Sequence, residues 1–203
     1  MPAPNKTRFA LLGLLTFGPM SGYDLKRMFE KSLNYFWNES YGQIYPMLKK
    51  LAGEGLTGGK RESDPESRSR TVYSLKDEGM AAFREWLALP AEPMRDRNEL
   101  LMKLFFGRHS SPDINRNHLL AAREYYTGLA QKFDELEIRL KEDCSDDPDQ
   151  PYWLVTLGYG QNQSRALLQW CDQSLIALDE IPADRTSSDN SKNETNEPPS
   201  GGR

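Results

Sequence analysis

SYGQIYPMLKKL, residues 40–51, sets apolar side chains at helical spacing: Ile44, Met47 and Leu51 on one reading, Tyr45, Leu48 and Leu51 on another. Yet Gly42 and Pro46 lie inside the run, and these are the two poorest helix residues. Ser40 supplies a start. It stands three residues before Gln43, and S-x-x-Q is a capping box, in which the two side chains satisfy orphan N–H groups at the helix N-terminus. With Ser40 as N-cap, Gly42 is the second helical residue, where few intrahelical bonds exist to lose. Pro46 then forfeits one bond, to the carbonyl of residue 42. The helix ends at Gly55, a stop signal. Such a start is poor for stability and good for bringing helix backbone close to something else.

Upstream, residues 8–17 are apolar nearly all round and predict a buried helix. Gly18 and Pro19 end it. Ser21 caps the next, with Asp24 three residues on in the same capping-box spacing, and that helix runs to about Leu33 on an apolar face of Leu25, Met28, Phe29 and Leu33. Downstream, LTGGKRE and SRTVYSL predict two short strands around a polar loop, DPESR. Three helices followed by a two-stranded hairpin with a basic tip is the order of a winged helix-turn-helix. Residues 77–87 are a further amphipathic helix, and the two prolines of LPAEPMRD mark a linker.

The rest is helical. NELLMKLFFG (98–107) is short and apolar. SPD (111–113) places Ser at the N-cap, Pro at the first helical position and Asp in the first turn. In the long helix that follows, Leu119, Ala122, Tyr126, Leu129, Phe133, Leu136 and Leu140 alternate spacings of three and four, a heptad seam. After a turn at 144–151 the last helix repeats it at Leu154, Leu157, Gln161, Ser164, Leu168, Cys171, Leu175 and Leu178. Two heptad helices joined by a short turn predict an antiparallel hairpin, completed by a second copy of itself. Residues 182–203 hold no core residues and are expected to be disordered.

The 203 residues carry a net charge of −4, unevenly spread. Residues 1–75 hold 11 Lys and Arg against 7 Asp and Glu, a net of +4, and the remainder holds 15 against 23, a net of −8. A basic front on an acidic back suggests different partners for the two parts. The two cysteines, Cys144 and Cys171, form no CxxC, and no disulfide framework or signal-peptide core is present. Residues 9–20 are too short and too interrupted by Gly and Pro to span a membrane. A cytoplasmic location without membrane attachment is the default expectation.

The candidate DNA contacts follow from the helix-turn-helix reading, in which the front of the second helix enters the major groove. Ser40, Tyr41, Gln43, Tyr45 and Lys49 cluster there. Gln can pair bidentately with adenine, and Tyr and Ser hydroxyls suit phosphates. Tyr45 fits a core position equally well, and Gln43 could be no more than a cap. Lys60, Arg61, Arg68 and Arg70 flank the wing loop, with Arg68 and Arg70 on one side of a strand, although three acidic residues share that loop. Six aromatics of the hairpin (Tyr125, Tyr126, Phe133, Tyr152, Trp153, Trp170) could line a pocket for an aromatic effector, but core and end-anchor roles explain them more simply. His109 and His118 sit in no metal or triad spacing, no phosphate-binding glycine loop follows a strand, and Cys171 falls on a core position. No catalytic, cofactor or metal set emerges.

GPMSGYDL, NESYGQIYPMLKKLAGEGL and RTVYSLKDEG together resemble the PadR family of bacterial transcriptional regulators. The third-helix signature G-x-[IL]-Y-P-x-L-x-x-L is met by Gly42, Ile44, Tyr45, Pro46, Leu48 and Leu51, and Y-x-L-x-x-x-G by Tyr73, Leu75 and Gly79. RNELLMKLFFG and LGYGQNQSRALLQW resemble the virulence-activator type of C-terminal domain. The resemblance implies a homodimer with interlocked C-terminal helices, presenting two winged domains to an inverted-repeat operator on double-stranded DNA. Some members sense phenolic acids or other small aromatics and others have no known ligand, so an effector stays open. One departure is TGGK, where the family carries a more β-forming strand.

The expected architecture is mainly α: a winged helix-turn-helix DNA-binding domain (1–88), a linker (89–97), an antiparallel, coiled-coil-like helical dimerisation domain (98–181) and a disordered tail (182–203). DNA contact is assigned to Ser40, Tyr41, Gln43, Tyr45, Lys49, Lys60, Arg68 and Arg70, and dimerisation to Leu119, Tyr126, Leu129, Phe133, Leu136, Leu168 and Leu175. The expected function is a DNA-binding regulator, a repressor by default. The rival is a coiled-coil dimer whose winged helix binds protein instead.

Overall fold

The structure, a computed structural model, describes residues 6–37, 41–62, 70–93 and 97–181. It divides into two compact units, Met1–Met94 and Arg95–Arg203.

In the first unit, α1 (Thr7–Leu14), α2 (Gly22–Ser32) and α3 (Ile44–Gly53) pack around one core, and a small sheet with α4 (Asp77–Leu87) closes it. The helix predicted over 8–17 is shorter than expected, because Leu15–Phe17 tighten into a 3₁₀ turn before Gly18. The apolar spacing of the sequence becomes the core: Leu11 and Leu12 of α1, Leu25 of α2, and Leu48 and Leu51 of α3 are all 0 % exposed. The ring of Phe9 stacks on Trp86 of α4 at 4.7 Å, which pins α1 to α4. The capping box at the start of α2 is formed as predicted. Ser21 Oγ accepts from the Asp24 N–H at 3.2 Å, and the Asp24 carboxylate accepts from the Ser21 N–H at 3.3 Å.

The start of α3 differs from expectation. Tyr41–Gln43 form a 3₁₀ turn, and the α-helix begins only at Ile44 with Gln43 as its N-cap and no side-chain cap. Gly42 therefore lies ahead of the α-helix. Pro46 is the third α-helical residue, where an N–H has no intrahelical partner, so it forfeits no bond of α3. The Ser40 capping box falls outside the described residues. The far end stops as predicted: Gly55 takes a left-handed φ of 77°, which glycine tolerates. The Leu56 N–H donates to the Leu51 carbonyl at 3.0 Å and the Gly55 N–H to the Ala52 carbonyl at 3.1 Å, the two bonds of a Schellman cap.

The wing is β2 (Thr57–Glu62) paired antiparallel with β3 (Arg70–Leu75). The glycines of TGGK do not interrupt it, and the register runs unbroken from Thr57↔Leu75 to Glu62↔Arg70. The sheet has three strands rather than two. Met20–Ser21, β1, pairs with Tyr73 and Val72, giving the order β1-β3-β2. Two residues directly after a proline, the second of them the cap of α2 itself, carry no periodicity, which hid this strand from sequence reading.

In the second unit, α5 (Glu99–Phe105) is capped by Asn98, whose side chain accepts from the Leu101 N–H at 3.1 Å. α6 (Pro112–Asp143) and α7 (Gln150–Asp179) form the predicted antiparallel hairpin, with Ser111 as the N-cap of α6. Three interhelical ion pairs flank the seam: Arg116–Asp179, Arg123–Asp172 at 2.6 Å and Arg165–Asp134 at 2.7 Å. Inside it, the amide of Gln161 donates to Asp134 at 2.9 Å and to Glu137 at 2.8 Å. Cys171 is 0 % exposed and Cys144 half-buried, and burial pushes the Cys171 thiol above its usual range. A timed iodoacetamide pulse read by mass is therefore expected to add one alkyl group to the native protein, at Cys144, and two in urea.

Candidate nucleic-acid interface

α3 has one buried face and one bare one. Ile44, Met47, Leu48 and Leu51 are locked into the core, while Gln43, Tyr45, Pro46, Lys49 and Lys50 are exposed. Lys50 leans back to Glu54 at 4.0 Å. Lys49, one turn beyond Tyr45, makes no ion pair with a described residue. Gln43 makes no side-chain cap bond to α3, so its amide is not used by the start of that helix. Tyr45 is half-exposed, at 50 %, which answers the two readings of it: part of the ring packs and part faces water.

The remaining candidates fare differently. Tyr41 lies in the 3₁₀ turn. Ser40 and Arg68 fall outside the described residues. Lys60 is exposed opposite Val72 on the wing. Arg70 faces Glu62 across the strands and pairs with it at 3.4 Å, so a phosphate would have to compete with that carboxylate. The exposed pair Tyr23 and Arg27 of α2 was not singled out from sequence. The Tyr23 ring is 60 % exposed, and the Arg27 guanidinium lies 5.9 Å from its centroid. Their i, i+4 spacing, on the side of α2 away from Leu25 and Phe29, was the available signal.

The heptad residues of the second unit serve mainly the chain's own hairpin. Leu119 and Phe133 are 1 % and 5 % exposed and have little surface left for another molecule. Tyr126, Leu129, Leu136, Leu168 and Leu175 are half-buried. The bare apolar side chains lie elsewhere, among them Met102 and Phe105 of α5, Tyr125 of α6, and Tyr152, Val155 and Ile176 of α7. The hairpin aromatics do not all converge. Phe133 fills the seam, Tyr125 and Tyr126 meet edge to face at 5.3 Å, and Tyr152 sits about 25 Å further along the hairpin. Among the described residues no helix is long and apolar enough to cross a membrane, and no group of His, Cys, Asp or Glu could hold a metal ion.

Two family models match the chain. Residues 11–85 match the transcriptional regulator PadR-like family, and residues 97–179 the virulence activator alpha C-terminal domain. The negative transcriptional regulator PadR of Bacillus subtilis is 26% identical over 178 residues, covering 85% of this chain and 97% of that protein. The crystal structure of B. subtilis PadR in complex with operator DNA superposes with a TM-score of 0.74 at 25% identity, over 85% of this chain and 98% of that one. The Vibrio cholerae virulence activator AphA superposes with a TM-score of 0.65 at 26% identity, over 85% and 97% of the two chains.

Proposed function

Since the chain belongs to the PadR-like family of transcriptional regulators, with a winged helix in front and a virulence-activator-type helical domain behind, we propose that it is a cytoplasmic repressor. It acts as a homodimer on an inverted-repeat operator. Its family consists of regulators and not of enzymes. The observation that carries the reading is the two-faced α3, whose core side is fixed by four buried residues while Gln43, Tyr45 and Lys49 stand bare on the other. A helix held so rigidly can present side chains to a groove without paying to order them. Lys60 on the wing supplies a further cation for phosphate, and Arg70 does so where a phosphate displaces Glu62.

The dimer half of the reading rests on the exposed side chains of α5, α6 and α7. Phe105, Tyr152 and Val155 are 82 %, 73 % and 76 % exposed, and large apolar side chains bared in this way suit a protein–protein interface. A second copy buries it, aided by the half-buried Tyr126, Leu129, Leu136, Leu168 and Leu175. Two-fold symmetry then sets the half-sites about 10 bp apart or a multiple of that. An effector, if this chain has one, belongs to the small aromatics that its family resemblance implies.

Fluorescence anisotropy on DNA from upstream of its own gene, at two salt concentrations, tests this. Tight binding that weakens steeply with salt and survives excess competitor DNA is expected. Lys49→Ala should weaken binding to all sequences alike and lower the salt slope by about one. Gln43→Ala should instead relax the preference at one base position by about 1–3 kcal/mol. Binding abolished by competitor would favour the rival reading, in which the winged helix meets a protein. Unchanged sequence preference in Gln43→Ala would leave Gln43 as a helix start and nothing more.

A further inference from the structure

Tyr45 and Gly22 are 23 positions apart in sequence, on different helices, and they touch. A Cβ placed on Gly22 would lie 2.5 Å from Tyr45 Cε1, 3.1 Å from Cδ1 and 3.2 Å from Cζ. One whole edge of the phenol ring therefore rests on the backbone of the first residue of α2. That backbone is itself held from several directions. Ser21, just before it, is paired in the sheet with Val72 and joined to Asp24 through the capping box. Leu25, one turn on, is fully buried. The ring's other side is open, since the residue is half-exposed.

From this geometry we infer that Gly22 is a positioning residue for DNA binding, acting through the Tyr45 ring to fix how the front of α3 is presented. The inference rests on the DNA-binding reading above. Tyr45 is the second residue of α3, two positions after Gln43 and one turn before Lys49. A ring seated on a rigid backbone shelf gives that end of the helix one orientation and holds the phenol hydroxyl, carried by Cζ, next to the start of α2. A side chain at 22 removes the shelf. The ring is free to swing outward into water, because it is not enclosed, so the core survives and the presented surface changes. Helix propensity alone favours alanine over glycine at 22. Stability and affinity are therefore expected to part company.

The test is a double-mutant cycle on the full chain. Selection from random-sequence duplex DNA with the wild-type protein supplies a fluorescein-labelled 30-bp probe, and affinities are measured for wild type, Gly22→Ala, Tyr45→Ala and the double variant. Gly22→Ala is expected to bind roughly tenfold more weakly, a typical size for coupled contacts, with an unchanged or higher melting temperature. In the Tyr45→Ala background the same substitution is expected to change affinity by less than about twofold, since no ring remains to displace. An equal loss in both backgrounds, or wild-type affinity in Gly22→Ala, overturns the inference and leaves the DNA-binding reading standing. If selection with the wild type enriches no duplex, the DNA-binding reading falls and the inference with it. Should Gly22→Ala fail to fold, the melting curve of the double variant decides: recovery supports the ring contact, and continued unfolding overturns it.

Discussion

Gly79→Ala is expected to destabilise the winged-helix unit by about 3 kcal/mol, although alanine is the better helix former by about 1 kcal/mol. Gly79 is the third residue of α4 and buried. A Cβ there would lie 2.1 Å from the carbonyl oxygen of Leu56 and 2.9 Å from Leu75 Cδ1. The leucine methyl could turn aside, but the carbonyl cannot. Leu56 closes the Schellman cap of α3 through its N–H and accepts from the Lys76 N–H at 3.2 Å through that same oxygen. The next residue, Thr57, is already paired with Leu75 in the sheet. Relief by more than an ångström therefore breaks the α3 cap, the α4 start or the wing root. Urea denaturation followed by far-ultraviolet dichroism measures the loss. A change under about 1 kcal/mol would mean that α4 can slide as a rigid rod without disturbing the corner beneath it.

Phe133→Ala is expected to destabilise the helical hairpin by about 3–4 kcal/mol. The ring is 5 % exposed and seats against Gly160 of α7, where an added Cβ would come within 2.7 Å of it. Gly160 opposite has no side chain to collapse into the space that the ring leaves, which keeps a large share of the cavity term. The same measurement separates two roles for Phe133. If the ring belongs to the chain's own hairpin, as its burial indicates, the variant loses folding stability while sedimentation gives an unchanged dissociation constant for the proposed dimer. A weakened dimer with an intact hairpin would instead assign Phe133 to the contact between copies.

Most of the architecture was legible because it is written in periodicity and caps. Ser21 with Asp24, Ser111 before Pro112, Gly55 at φ 77° and the heptads of α6 and α7 each tie a local pattern to one conformation, and each appears in the structure as read. What escaped depends on contacts between distant residues. The two residues of β1 are a strand only because Tyr73 and Val72 lie opposite them. The start of α3 was placed too early because a capping-box spacing at 40 and 43 says nothing about a 3₁₀ turn in between. Among the candidate contacts, the spacing of Gln43, Tyr45 and Lys49 brought out the exposed face of α3. The engagement of Arg70 by Glu62, and the seat of Tyr45 on Gly22, required the fold. The heptads located the hairpin correctly but could not say which of their residues it would use up internally.

Gln161 has a consequence for which hairpin forms at all. Leucine seams are tolerant of sliding: if α7 moved along α6 by one heptad, apolar positions would again meet apolar positions. The buried amide would not be so forgiving. Seven residues in one direction would exchange its carboxylate acceptors, Asp134 and Glu137, for Thr127 and Ala130, and seven in the other would set it against Lys141 and Cys144. Arg165 would leave Asp134 in the same movement. One polar layer in an otherwise repetitive interface thus works as an index mark, charging the slipped alignments for an amide left without its partners and leaving a single alignment, and so a single length and spacing of the domain, for the chain to adopt.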